Sequence, residues 1–166
     1  ELIAGGDPEA PRFVYHAAAK LPLPSAERLV RESGERARMR AKEAIEAAVR
    51  DLRARGHRVV ASGVVIGNRP LTSPLEAVLG AHNLIHAAEG ELFRQAVIGA
   101  SEACAVPVTC VRARELYQRG AKDFRVTEEV LRERLAEAGR AAGRPWALDQ
   151  RESLLVALVA LTARRS

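Results

Sequence analysis

Residues 59–66 read VVASGVVI, a run of β-branched and small residues that ends at Gly67 and Asn68. A short apolar run bounded by turn residues predicts a strand buried on both faces. A second run, VPVTCV at residues 106–111, predicts another strand, and residues 74–105 between the two follow a helical pattern. A strand, a crossover helix and a second strand predict a right-handed unit with parallel strands.

Helical patterns surround this unit. Upstream, residues 25–55 place small and aliphatic side chains at helical spacing, and Gly56 is suited to end that helix. Downstream, three more helices are expected, over residues 114–119, 127–138 and 149–163, with Thr127 as the N-cap of the second.

The N-terminal region has a different pattern. The apolar run at residues 2–4 and the mixed run at residues 12–21 flank the turn residues Gly5-Gly6-Asp7-Pro8, which predicts a β-hairpin. We therefore expect one α/β domain over residues 1–166, with an antiparallel hairpin joined to a parallel core and flanked by long helices. The chain begins at Glu1 rather than at a methionine, so the expectation allows for a further strand upstream.

Composition excludes several classes. The chain has 166 residues, of which 48% are hydrophobic and 28% charged, the balance of a folded domain. The longest apolar run, residues 154–161, is too short to span a bilayer, and no secretory leader pattern is present. Cys104 and Cys110 flank a strand, which holds their sulfurs too far apart for a disulfide. These features predict a cytoplasmic protein with reduced thiols and no membrane association.

The net charge of +5 makes nucleic acid a candidate partner. Against this, many arginines alternate with glutamates at helical spacing, as on a solvated helix face. The alternative is a noncatalytic module that forms a homo-oligomer through Ala- and Leu-rich faces. No dinucleotide fingerprint, P-loop or esterase elbow occurs in the chain.

Two stretches carry a family resemblance. One is the Ala-rich segment from Gln95 to Val108, and the other is LDQRESLL at residues 148–155. With the order of elements, these stretches resemble the ribonuclease-H-like superfamily, in particular its Holliday-junction resolvase branch. The resemblance implies a three-layer ribonuclease-H-like sheet and a nuclease site in which Asp149 and Glu152, three residues apart on one helix, hold Mg²⁺ or Mn²⁺.

The chain also departs from the resolvase pattern. The family has an Asp on its first strand and a Glu on its central strand. Here the nearest candidate for the Asp, Asp7, lies among predicted turn residues, and the stretch equivalent to the central strand, residues 61–64, contains no acidic residue. A two-metal nuclease needs about four carboxylates. The resemblance thus implies either a reduced metal site or a degenerate nuclease that binds nucleic acid or a partner without catalysis.

A separate cluster lies in the second predicted helix. His82, His86 and Glu89 recur at i, i+4 and i+7 and share one helical face. Two imidazoles and a carboxylate are ligands for a transition metal or partners in acid-base catalysis, so a small metal-dependent enzyme is a further hypothesis. The alternative is that each His bonds a carbonyl or water at a helix interface. If the chain binds a divalent metal ion at any of these sites, the sequence favours Mg²⁺ or Mn²⁺ over Zn²⁺.

The only tryptophan, Trp146, precedes the last predicted helix. We expect its indole to pack that helix against the core. The sequence supplies no aromatic partners for a base-stacking platform.

Overall fold

The computed structural model describes residues 11–164, and helices make up 69% of them. The helices and strands of this part of the chain are α1 (Val14–Ala18), α2 (Leu23–Ala54), β1 (Ser62–Ile66), α3 (Leu75–Leu79), α4 (His82–Ala103), β2 (Val108–Arg112), α5 (Leu116–Phe124), α6 (Glu128–Ala142) and α7 (Leu148–Thr162). A 3₁₀ turn, Ala113–Glu115, leads into α5.

The sheet is a parallel pair. β1 and β2 run side by side with Ser62 opposite Val108 and Ile66 opposite Arg112, which confirms the predicted parallel unit. α4 connects the two strands, and both α4 and α7 pack against β1. A Cβ at Gly63 would collide with the backbone carbonyl of Val156 in α7. The glycine therefore lets the backbone of α7 approach the strand directly.

The predicted three-layer ribonuclease-H-like sheet with an antiparallel hairpin is wrong. Within residues 11–164 the sheet consists of β1 and β2 alone, and residues 12–21, predicted as a hairpin strand, contain helix α1. The first half of that hairpin, residues 2–4, and its turn lie outside the described residues. Tertiary contacts override the β propensity of this segment: Val14 and Ala18, one turn apart, are both buried, and a side chain of α4 caps the helix.

Other helices follow the prediction with shifted bounds. α2 continues through Gly34, and Gly56, with φ of +81°, follows its end as expected. The single helix predicted over residues 74–105 is divided at Gly80 and Ala81 into α3 and α4. Thr127 caps α6 as predicted, since its hydroxyl accepts a hydrogen bond from the N–H of Val130 at 3.4 Å.

Two clusters of buried hydrophobic residues stand out among residues 11–164. One joins β2, α5, α6 and α7 and contains Val111, Leu116, Leu131, Leu135, Leu155, Val156 and Val159. The other joins α2 and α4 through Ala37, Ala41, Ala96 and Ala100, whose small side chains bring the two helices close together. α4 thus packs against α1, α2 and β1, and it carries the candidate site. No helix among the described residues is long and apolar enough to cross a bilayer.

Candidate metal centre

Glu89 of α4 anchors the N-terminus of α1. Its side chain is only 10% exposed, and its carboxylate accepts hydrogen bonds from the backbone N–H groups of Val14 at 3.1 Å, Tyr15 at 2.8 Å and His16 at 3.1 Å. These are first-turn donors, which have no acceptor within their own helix. A carboxylate from another helix therefore caps α1 and holds it against α4.

The same carboxylate orients an imidazole. Nδ1 of His16 lies 3.2 Å from Oε1 of Glu89. With Nδ1–H as the donor, Nε2 of His16 is the nitrogen left to act as a ligand. A histidine held through its other nitrogen by a carboxylate is the usual outer-shell arrangement of a metal-bound imidazole.

Two histidines from the start of α4 complete the cluster. His82 and His86 are one helical turn apart, and their Nε2 atoms are separated by 3.0 Å. The ring of His16 lies 4.9 Å from that of His86 and 5.7 Å from that of His82, centroid to centroid. Among residues 11–164, these three side chains are the one group of His, Cys, Asp or Glu that brings three ligand atoms within 4.8 Å of one another.

The separations suit a tetrahedral ion after a small adjustment. Zn–N bonds of about 2.0–2.1 Å put tetrahedral nitrogen ligands roughly 3.3 Å apart. The two α4 imidazoles are already closer than that, and the ligand atom of His16 lies within 4.8 Å of theirs. Because His82 and His86 are exposed, rotation of their rings about the side-chain bonds is the movement that would close the remaining gap.

The cluster is open to solvent on one side. The side chain of His16 is 32% exposed, and His82 and His86 are exposed residues. The ring of Phe13 stands edge-on to His16 at 5.7 Å between centroids. Water therefore has access to the point where the three imidazoles converge, with an apolar ring beside it.

Two carboxylates act on the phenol of Tyr15, the residue that precedes His16. Burial raises the pKa of the Tyr15 phenol, and the nearby carboxylates of Glu89 and Glu91 raise it further. Burial disfavours a charge of either sign, so only the smaller contribution, from the two carboxylates, reflects a negative local potential.

The structure places the predicted site residues as follows. His82 and His86 lie together at the start of α4, the carboxylate of Glu89 contacts α1 and His16, and the third imidazole near the α4 pair is that of His16. His16 was missed because its segment was interpreted as a strand. Its contact with Glu89 joins residues 73 positions apart, so helical spacing carried no signal for it.

Asp149 and Glu152 lie elsewhere. Both line a groove of about 510 Å³ beside the carboxyl end of β1, together with Asn68 and Arg94. In the described part of the chain, no third His, Cys, Asp or Glu joins them within ligand distance. A metal site at Asp149 and Glu152 stays a prediction.

Comparisons of the chain with protein-family models, with curated proteins and with solved structures gave no match. The chemistry of the histidine cluster is therefore the basis for a functional proposal.

Proposed function

We propose that this protein binds a transition-metal ion, Zn²⁺ first among them, through His16, His82 and His86, with Glu89 as the outer-shell carboxylate. The observation that supports the proposal is the convergence of three imidazoles from two helices, one of them oriented by a buried carboxylate.

The donor set selects the ion. Imidazole nitrogens suit Zn²⁺, Cu²⁺ and Ni²⁺, whereas Mg²⁺ prefers oxygen ligands. This proposal therefore replaces the Mg²⁺ or Mn²⁺ preferred from the sequence, as far as this site is concerned.

Three protein ligands are the number found in catalytic zinc sites. Catalytic zinc sites use three protein ligands and leave the fourth position to water, whose pKa falls to about 7 on the metal. Three histidine ligands at a solvent-accessible point would leave such a position to water. The proposed activity is accordingly metal-assisted hydrolysis, a more specific form of the small metal-dependent enzyme that the sequence suggests for the cluster of His82, His86 and Glu89.

The test is a Zn²⁺ titration of metal-free protein followed by calorimetry and by NMR of the imidazole protons. The chain has four histidines, and we expect three of them to shift while His57, outside the cluster, does not. His16→Ala, His82→Ala and His86→Ala should each lower the affinity at least tenfold, and His57→Ala should leave it unchanged. Equal weakening by His57→Ala, or retention of affinity in His16→Ala, would contradict the proposed ligand set.

Glu89 is a positioning residue in this scheme. Loss of an outer-shell carboxylate lowers metal affinity by about 10–100-fold, so we expect Glu89→Gln to weaken Zn²⁺ binding by that factor while the three imidazole shifts persist. A purely structural role would instead change the stability of the metal-free protein without changing the affinity of the folded fraction.

The other hypotheses stay predictions. A nuclease site at Asp149 and Glu152 requires Mg²⁺ or Mn²⁺ to raise the unfolding midpoint in a manner that Asp149→Ala abolishes. A homo-oligomer requires the molecular size in solution to depend on concentration. Three leucines of α7 with exposed side chains, Leu148, Leu158 and Leu161, are the surface to mutate in that test.

A further inference from the structure

A basic concavity lies where α6 leads into α7. It has a volume of about 750 Å³, and its lining includes Trp146 and the three arginines Arg140, Arg144 and Arg151. No acidic residue lines it. It therefore presents three guanidinium groups beside one indole.

These guanidinium groups are largely without counter-ions. Among residues 11–164, Arg144 and Arg151 make no ion pair, and Arg140 approaches Glu137 only at 3.8 Å, between side chains that are 72% and 68% exposed. Such an exposed pair contributes little stability and exchanges readily for a better anion. The concavity thus favours a negatively charged ligand.

The indole is held in place by the backbone. Trp146 packs so closely on Gly139 that a Cβ at that glycine would overlap the pyrrole ring. Nε1 of Trp146 and Nε of Arg151 are buried and have no acceptor in the described part of the chain. Buried donors without acceptors are uncommon, and here both belong to side chains that line the concavity.

We propose that this concavity binds single-stranded nucleic acid, with a base stacked on Trp146 and backbone phosphates on Arg140, Arg144 and Arg151. Indole faces and guanidinium planes are the groups on which proteins stack unpaired bases, and arginine forks match phosphate oxygens. A duplex keeps its base faces covered and does not meet this arrangement. The inference is independent of the metal centre, which involves other helices.

The test uses the fluorescence of Trp146, the only tryptophan of the chain. Metal-free protein in EDTA is titrated with a (dT)₁₂ oligonucleotide at several salt concentrations. We expect quenching of Trp146 and an affinity that falls with salt, because phosphate contacts release counterions. Labelled (dT)₁₂ followed by anisotropy gives the affinity of variants that lack the tryptophan.

A matched pair of variants separates the site from net charge. Arg144→Ala with Arg151→Ala removes two lining arginines, and Arg134→Ala with Arg53→Ala removes two exposed arginines that do not line the concavity. We expect the first pair to bind about tenfold or more weaker and the second pair to bind within about twofold of the wild type. Trp146→Phe, which keeps a ring, should bind more tightly than Trp146→Ala. Unfolding midpoints of all variants confirm that each is folded.

Three results would overturn the inference. One is the absence of Trp146 quenching by (dT)₁₂. Another is equal weakening by the two arginine pairs, which indicates diffuse attraction of a polyanion. The third is equal quenching and affinity with heparin, which carries negative charge without bases and so identifies the concavity as a general polyanion surface.

Discussion

At the scale of single residues, Glu89 concentrates more hydrogen bonds than any other side chain of the candidate site. Three backbone N–H groups and His16 all donate to it. Hydrogen bonds to a charged group contribute about 1.5–3 kcal/mol each, and buried donors left without a partner are costly. We expect Glu89→Ala to lower the free energy of unfolding by roughly 2–4 kcal/mol, measured by urea denaturation. Glu102→Ala, at an exposed position of the same helix, is the control and should change it by less than about 0.5 kcal/mol.

Cys110 gives a second prediction at this scale. The residue is exposed, yet partial burial of the thiol, followed by the negative charges of Glu102 and Glu91, raises its pKa. Since the thiolate is the nucleophile, alkylation at neutral pH should be slower than that of free cysteine. In a Cys104→Ala background, Glu102→Gln should accelerate the reaction with iodoacetamide and shift its pH profile downward. An unchanged profile would show that Glu102 does not influence the thiol.

At the scale of elements, the packing of α7 on β1 depends on Gly63. A methyl group there meets backbone atoms of Val156, which have no rotamer by which to move aside. We expect Gly63→Ala to destabilise the protein by about 2–3 kcal/mol or more. Gly99→Ala, in α4 with open space around it, should stabilise by about 0.5–1 kcal/mol. Urea denaturation gives the free energy of unfolding of both variants. If Gly63→Ala leaves that free energy unchanged, α7 can move away from β1 without loss of stability.

The contribution of the Thr127 cap of α6 to protein stability should depend on pH. Hydrogen bonds from its own backbone N–H and from the Thr127 hydroxyl lower the pKa of Glu129. A carboxyl group whose folded pKa is lowered contributes stability above its unfolded pKa, and that contribution is lost as pH falls through the folded value. Thr127→Ala should therefore cost about 1 kcal/mol at neutral pH and less in acid. Carbon-13 NMR titration should show the Glu129 pKa rising toward its ordinary range. In Glu129→Gln, the cost of Thr127→Ala should no longer vary with pH.

Helices and strands whose formation depends on residues close together in the sequence could be predicted from that sequence. The apolar periodicity of α2, the hydroxyl of Thr127 and the β-branched residues of β1 and β2 act within a few residues of themselves. α1 was not predictable in this way, because Val14 and Tyr15 favour strands and the groups that reverse this preference are on α4. The same reason explains the candidate site. His82 and His86 share a helix and were found by spacing, whereas His16 joins them only through tertiary packing.

At the scale of the whole molecule, the proposed metal centre lies between α1 and α4, and α4 is the helix that also packs on α2 and β1. An ion held by His16, His82 and His86 therefore stabilises the contact between the N-terminal helix and the rest of the described chain. Mass action raises the free energy of unfolding by about 2.7 kcal/mol when free Zn²⁺ is 100 times its dissociation constant. Hydrogen exchange at the N–H groups of Val14, Tyr15 and His16 should slow at the same time, since opening of α1 then requires loss of the ion.

This stabilisation should depend on pH. Histidine binds metal only in its neutral form, so protons compete with Zn²⁺ for the imidazoles. We expect Zn²⁺ to raise the unfolding midpoint at about pH 7.5 and to have little effect at about pH 5, where imidazoles are largely protonated. The measurement is thermal unfolding with Zn²⁺ or EDTA at both pH values, on the wild type, His16→Ala and His57→Ala. An equal Zn²⁺ effect at both pH values would indicate carboxylate ligands elsewhere, and an equal effect in His16→Ala would show that His16 is not a ligand; either result would contradict the three-histidine centre.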